Sequence, residues 1–233
     1  DHRTGKVERP VIVHDKEDVD DPHDNPSLNI DRDGYLWVFV SGRGNIRPGF
    51  IYRSARPYDI SSFERVDQKT FTYPQPWVVG NKGFLHLFTR YTQGRELYWE
   101  TSVDGRTWSE TKKLAGFGGH YQTSQLSSDR VASFFNYHPG GSVDRRTNLY
   151  YVQTKDFGET WTTAEGVVLT LPLETIDNPA LVRDYAAEGK LLYTCDLNFD
   201  AQGNPILLYV LSCDFRPGPA GGEREWTTAH WKG

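Results

Sequence analysis

The residues best suited to chemistry in this chain fall in short polar clusters flanked by glycine or proline. His23-Asp24-Asn25 follows Asp21-Pro22, and Arg43 stands between Gly42 and Gly44 with Arg47 close behind. Arg90-Tyr91 is followed by Arg95. Gly118-Gly119 lead into His120-Tyr121-Gln122, and Tyr137-His138 precede Pro139-Gly140-Gly141 and then Arg145-Arg146. A turn needs none of these cationic, aromatic and imidazole side chains. Guanidinium forks bind carboxylates through paired hydrogen bonds, and aromatic faces stack on sugar rings. Histidine and tyrosine move protons when their surroundings tune them. The set suits an anionic, ring-shaped ligand, an acidic sugar. Glycines on either side of Arg43 and before His120 let the backbone bend around a presented side chain. Each cluster also has a plain structural reading: a satisfied loop histidine for His23, a solvated charge pair for Arg145-Arg146, core for Trp37 and Trp77. A zinc site from His120 and His138 lacks a second ligand pair at suitable spacing, so no metal is expected. Two-carboxylate glycoside hydrolysis would draw on Asp24, Asp144 and Asp177, but no spacing pairs them.

The elements that carry these clusters repeat. Asp24-Asn25-Pro26-Ser27-Leu28 returns as Asp177-Asn178-Pro179-Ala180-Leu181, and Ser102–Trp108 returns as Thr154–Trp161. A period near 50 residues with several strands per period points to a β-propeller. The units span about 24–68, 69–116, 117–170 and 177–233 of a single propeller region, with 1–20 as the remnant of a preceding blade led by a strand at Val11-Ile12-Val13. In the second unit the strands fall at Gln75–Val79, Phe84–Thr89, Glu96–Thr101 and Ser109–Leu114. Leu36–Val40 is apolar on both faces, as for a blade packed between blades. In such a blade the loops joining strands one to two and three to four share one face. Here they are turn material, Asp31-Arg32-Asp33-Gly34 and Gly80-Asn81-Lys82-Gly83 among them, where Asp and Gly serve the local backbone. The other loops, which carry every cluster above together with Tyr73 and Gln75, emerge on the opposite face.

Composition narrows the class. The chain has 233 residues, 37% hydrophobic and 24% charged, as in an ordinary globular protein. Its net charge of −5 argues against nucleic acid as a partner, and no apolar run approaches the roughly 18 residues of a membrane helix. Aromatics at 14%, with 22 Gly and 13 Pro, fit short strands and tight turns. A hairpin of Leu191–Phe199 with Pro205–Cys213 sets Cys195 opposite Tyr209. That leaves it roughly 13 Å along the strand from Cys213, beyond disulfide reach, so two free thiols are expected.

Thr154–Trp161 matches the Asp-box pattern of sialidase-type propellers, and Ser102–Trp108 is a version one residue shorter. His23-Asp24-Asn25-Pro26, then Asp31–Phe39, Ile51-Tyr52-Arg53-Ser54 and Pro57-Tyr58-Asp59-Ile60, resembles the BNR-4 family of bacterial, sialidase-like propellers. The resemblance implies an all-β fold, a β-propeller of four-stranded antiparallel blades. Members are generally seven-bladed and longer than this chain, so a portion of about four to five blades of a larger ring is expected, with a compact five-bladed ring as the alternative. The family includes ulvan lyases and rhamnosidases acting on uronic-acid-containing glycans. In the lyases a histidine occupies the position matched by His23, and a second stands where this sequence has Arg43. A tyrosine of the next blade joins the proton transfer, with Tyr91 the nearest match. Arginine neutralises a carboxylate but does not act as a base near neutral pH.

The expected function is therefore lyase-type β-elimination on an acidic polysaccharide or oligosaccharide. A glycoside hydrolase, sialidase-like or α-L-rhamnosidase-like, and a non-catalytic glycan-binding propeller remain as alternatives. The expected catalytic residues are His23, Arg43, Tyr91, His120 and His138. Substrate contacts are expected from Asn25, Arg47, Arg90, Arg95, Tyr121, Gln122, Tyr137 and Arg145. No cofactor, nucleic acid or membrane span is expected. A secreted or periplasmic bacterial location is expected, although no signal peptide is visible in the chain.

Overall fold

The computed structural model describes residues 4–7, 9–17 and 19–233. Among them the chain forms four antiparallel sheets in sequence order. The first holds β1 (Ser27–Ile30), β2 (Leu36–Val40), β3 (Gly49–Ser54) and β4 (Phe63–Lys69). The second holds β5 (Thr72–Val79), β6 (Gly83–Tyr91), β7 (Arg95–Ser102) and β8 (Lys112–Ala115). The third holds β9 (Gln122–Leu126), β10 (Val131–Tyr137), β11 (Thr147–Thr154) and β12 (Leu181–Arg183). The fourth has three strands, β13 (Leu191–Phe199), β14 (Pro205–Ser212) and β15 (Arg224–His230). Each sheet is a meander with its first strand at one edge, the blade pattern of a propeller.

Adjacent blades share cores, which explains strands apolar on both faces. Trp37, Phe39, Ile51, Phe71, Phe84 and Phe88 fill the space between blades one and two. Leu85, Leu97, Trp99, Phe135, Tyr150 and Trp161 fill the next, and Phe134, Leu149, Leu192, Leu207 and Tyr209 the last. The first strands are also stitched by polar bonds that repeat with the blade. Ser27 Oγ donates to the Pro74 carbonyl at 2.5 Å and Asn29 Nδ2 to that of Pro76 at 2.6 Å. Gln75 Nε2 donates to the Gln122 carbonyl at 3.0 Å and Trp77 Nε1 to Ser124 Oγ at 2.8 Å. All four bonds join residues 47 positions apart.

The Asp-boxes are structural. Asp104 Oδ1 accepts the N–H groups of Arg106 and Thr107, both at 2.8 Å. Asp156 Oδ1 accepts the Thr160 N–H at 2.9 Å and the Thr154 hydroxyl at 2.8 Å. Gly105, at φ +71°, lies so close to the preceding blade that a Cβ would stand 2.4 Å from the Trp37 ring.

Three details differ from the sequence reading. Val11–Val13 form no strand. The segment around them instead lies against the first blade, with His14 Nδ1 2.8 Å from Tyr52 Oη and its ring 4.6 Å from Phe50. Residues 1–3, 8 and 18 of the expected preceding-blade remnant lie outside the described residues. The strand paired to the outside of β11 is Leu181–Arg183, beyond the 117–170 unit, because the Asp-box segment after β11 makes only isolated bridges at Thr162. In the β13–β14 hairpin Thr194, not Cys195, faces Tyr209, and Cys195 is a bulge. Both cysteines are free and exposed, as expected.

Candidate active site

The loops after β2, β6 and β10 and the connections between blades converge on one face. Arg43 is its hub. The 43–47 turn is pinned on several sides: Gly42 N–H donates to the Phe71 carbonyl, Gly44 N–H to Thr72 Oγ1, and Arg43 N–H to the Arg47 carbonyl. Arg43 Nη1 donates to the hydroxyls of Tyr73 at 3.3 Å and Tyr91 at 3.4 Å, while its Nε lies 3.4 Å from Asp21 Oδ2. Burial opposes the charge on Arg43, but Tyr91, Tyr73 and Asp21 outweigh it and its pKa stands above the usual value.

Tyr91 ends β6 and receives a second guanidinium, since Arg95 Nε donates to its hydroxyl at 2.9 Å. Tyr73 sits at φ +52°, a conformation that costs a non-glycine residue about 1–2 kcal/mol and that gathers at functional sites. Burial, then the neighbouring hydroxyls of Tyr121 and Tyr91, push the Tyr73 pKa up. Its ring meets that of Tyr121 edge-on at 5.7 Å. Arg95 and Arg146 place guanidinium carbons 5.7 and 5.2 Å from the Tyr121 ring centroid, and Arg146 is also 4.6 Å from that of Tyr193. A cationic, aromatic band thus crosses from the first blade to the fourth.

At its near end His23 is exposed, with its ring 6.4 Å from that of Tyr73. Its Nδ1 lies 2.6 Å from Asp21 Oδ1. Arg47 Nη2 donates to both oxygens of buried Asp24, at 2.7 and 2.8 Å, and to Asp21 Oδ2 at 3.0 Å. Arg47 is thereby a structural ion-pair residue more than a free anion-binding fork. The same bonds remove Asp24 from the set of candidate hydrolase carboxylates. Asn25 is exposed beside them.

Several expected site residues lie elsewhere. His120 is fully buried: its Nδ1–H donates to the Asn136 carbonyl at 2.8 Å and its Nε2 accepts the Phe117 N–H at 3.4 Å. Burial pulls its pKa down to about 4. With both nitrogens used and no exposed atom, it packs the loop rather than transferring protons. His138 is also buried, its Nε2–H donating to Asn136 Oδ1 at 3.0 Å and its ring lying 4.9 Å from Tyr121. Burial, then the positive charges of its neighbours, lower its pKa to about 3. It buttresses Tyr121 from behind. Arg90 points away, because successive strand residues face opposite sides and Tyr91 takes the site side. Its Nε donates to the Thr70 carbonyl and its Nη2 to Thr111 Oγ1. Tyr137 packs on Phe117 at 5.7 Å. Gln122 is buried with Oε1 accepting from Ser133 Oγ at 3.0 Å. Arg145 is exposed, and its neighbour Arg146 takes the place on the Tyr121 ring.

The face therefore brings together His23, Arg43, Tyr91, Arg95 and Tyr121, with Arg47 behind them. Asp21 and Asn136 were not singled out from sequence. Asp21 had one local signal, its place two residues before a histidine, where a carboxylate caps the following N–H. Asn136 lies in an apolar strand run and carries no signal at all. Among the described residues no group of three or more His, Cys, Asp or Glu is arranged to hold a metal ion.

Comparison with known proteins agrees with this architecture. The sequence model of the BNR repeat-containing family (BNR_4) matches residues 4–217. An ulvan lyase of Nonlabens ulvanivorans is 25% identical over an alignment of 254 positions, covering 91% of this chain and 53% of that protein. An ulvan lyase (PL25) of Pseudoalteromonas sp. (strain PLSV) is 25% identical, covering 91% of this chain and 51% of its own length. This chain thus spans about half the length of the curated relatives it matches. A solved PL25 ulvan lyase structure superposes with a TM-score of 0.78 at 21% identity, over 91% of this chain and 56% of that one. A second such structure, bound to -[GlcA(1-4)Rha3S]-, gives 0.77 at 20% identity, over the same shares of the two chains. At those identities the likeness shows the propeller fold.

Proposed function

The chain belongs to the BNR repeat-containing family, and from the geometry of its open face we propose that it cleaves an acidic, uronate-containing polysaccharide by β-elimination. The observation that carries this reading is the Tyr91 hydroxyl held between two guanidiniums, Arg43 at 3.4 Å and Arg95 at 2.9 Å. The similarity to ulvan lyases, one of which is described bound to a glucuronate-rhamnose sulfate, supports the choice of substrate class.

Elimination from a uronate needs the carboxylate neutralised, a base for the α proton and an acid for the leaving oxygen. Arg43 and Arg95 supply fixed donors for the carboxylate, which delocalises the charge that develops on proton removal. His23 takes the proton from the carbon next to the carboxyl. The electron pair forms the ring double bond as the bond to the leaving glycosidic oxygen breaks, and Tyr91 passes its hydroxyl proton to that oxygen. Transfer of the abstracted proton back to Tyr91 through water restores both groups. Tyr121, flanked by Arg95 and Arg146, offers the stacking face for the neighbouring sugar. Such a polymer is met outside the cytoplasm, so the reading includes a secreted or periplasmic site of action.

The test is near-ultraviolet absorbance during incubation with a panel of uronate polysaccharides, ulvan included. The expected result is a rising unsaturated-uronate signal that is lost in Arg43→Ala. New reducing ends without absorbance would replace elimination by hydrolysis. Binding with neither product would make the face a glycan-binding surface only.

A further inference from the structure

Resting on that reading of His23, we infer that Asp21 is a positioning residue that fixes the His23 imidazole as its Nδ1–H tautomer and leaves Nε2 as the proton-accepting atom. Asp21 Oδ1 receives both the His23 backbone N–H, at 3.0 Å, and the ring Nδ1, at 2.6 Å. One carboxylate oxygen therefore sets the rotation of the backbone and of the ring together. Its other oxygen is clamped by Arg47 Nη2 at 3.0 Å and faces Arg43 Nε at 3.4 Å, so the carboxylate cannot swing away from the ring. Lys16 Nζ closes the far side by donating to the Asp21 carbonyl at 2.8 Å.

An ionised carboxylate only accepts hydrogen bonds, so the ring nitrogen facing it must carry the hydrogen. The ionised form is strongly favoured: the His23 backbone N–H, then the His23 ring, then Arg47 hold the Asp21 carboxyl well below the usual carboxylate range. Among the described residues His23 Nε2 has no hydrogen-bond partner, so the ring's free lone pair lies on the atom left to meet a substrate proton. The same carboxylate stabilises the imidazolium formed on proton abstraction, as the third member does in nucleophile–histidine–carboxylate triads. A solvated histidine favours the opposite, Nε2–H, tautomer, whose unprotonated nitrogen here would face the acid.

The competing account is that Asp21 merely ties the 10–24 segment to the 43–47 turn. Asp24 also ties that segment to the turn, with both its oxygens on Arg47 Nη2, without touching the His23 ring, which provides the control. The decisive measurement is the two-bond ¹⁵N–¹H spectrum of His23 in its neutral form, read beside steady-state kinetics on an acidic polysaccharide. The wild-type protein and Asp24→Ala are expected to show the Nδ1–H pattern. Asp21→Ala is expected to shift to Nε2–H and to lose about 10²-fold in kcat, the lower end of general-base contributions, without a rise in KM. Asp21→Asn, which keeps the backbone cap, serves if the alanine variant fails to fold and is expected to weaken the Nδ1–H preference. An Nε2–H pattern in the wild type, an unchanged pattern in both Asp21 variants, or equal effects of Asp24→Ala and Asp21→Ala would overturn the inference. A wild-type protein that shows the Nδ1–H pattern but cleaves no polymer would instead refute the proposed reaction while leaving the orienting contact in place.

Discussion

Asn136→Ala is the substitution whose effect can be worked most directly from the structure. Its side chain is fully buried and makes three bonds. Oδ1 accepts the Tyr121 N–H at 2.9 Å and His138 Nε2–H at 3.0 Å, and Nδ2 donates to the Leu192 carbonyl at 3.2 Å. Truncation leaves two donors and one acceptor buried without partners. Each such group costs about 1–3 kcal/mol, so a loss of about 3–9 kcal/mol is expected, a large part of a typical total of about 5–15 kcal/mol. The bond to Leu192 also joins the third blade to the fourth, so this loss falls on the seam between them. Urea unfolding at neutral pH reads the loss as a lower midpoint at similar slope. The effect should also reach the site, because the Tyr121 backbone is held by this amide and its ring lies between Arg95 and Arg146. Affinity for an acidic oligosaccharide should fall in conditions where the variant is still folded. A loss below about 1 kcal/mol would refute the view that Asn136 is the buried hub of this loop cluster.

Further outcomes follow from other contacts. Gly44→Ala should lower kcat by displacing Tyr91, since the residue sits at φ +52° and a Cβ would stand 3.2 Å from the tyrosine ring; wild-type kcat in a folded variant would count against a role for Tyr91. Arg43→Lys should recover only part of the activity lost in Arg43→Ala, because an ammonium cannot reach Tyr73, Tyr91 and Asp21 with one planar fork; full rescue would reduce the requirement to charge alone. Stability should fall as pH drops from about 6.5 toward about 4. His120 and His138 are held neutral, at about 4 and about 3, while unfolded histidine binds protons from about 6.5 downward. The unfolded state then carries more protons, so stability rises with pH through this window, by about 3 kcal/mol for His120 alone. A urea midpoint that stays flat between pH 6.5 and 4.5 would contradict their burial.

The blade architecture and the face that carries the candidate site were legible because they depend on local pattern. The two-sided apolar run Leu36–Val40, the Asp-Gly turns and the Asp-box spacing each act within a few residues, and their repetition near every 47–52 positions assigns each loop to one of two faces. Arg43, Tyr91, Arg95 and Tyr121 could be gathered on that basis before any coordinates. What each side chain does on the face was not legible in the same way. His120 and Arg43 both follow glycine in loops of the same face, yet one is buried with both ring nitrogens satisfied and the other is the hub of the site. The difference lies in what each side chain meets: Phe117, Phe135 and Asn136 of its own blade enclose His120, while Asp21 and, from the second blade, Tyr73 and Tyr91 support Arg43 at its edge. The choice of Arg146 over Arg145 depends likewise on where Tyr121 and Tyr193 arrive from separate strands. The sequence by itself determined the blades, their shared apolar cores and the side on which the cationic and aromatic loop residues gather, because strand patterning and turn residues act locally. Only the tertiary structure decided which polar groups are buried as struts and which stay open, because desolvation and hydrogen-bond satisfaction are set by partners from distant parts of the chain.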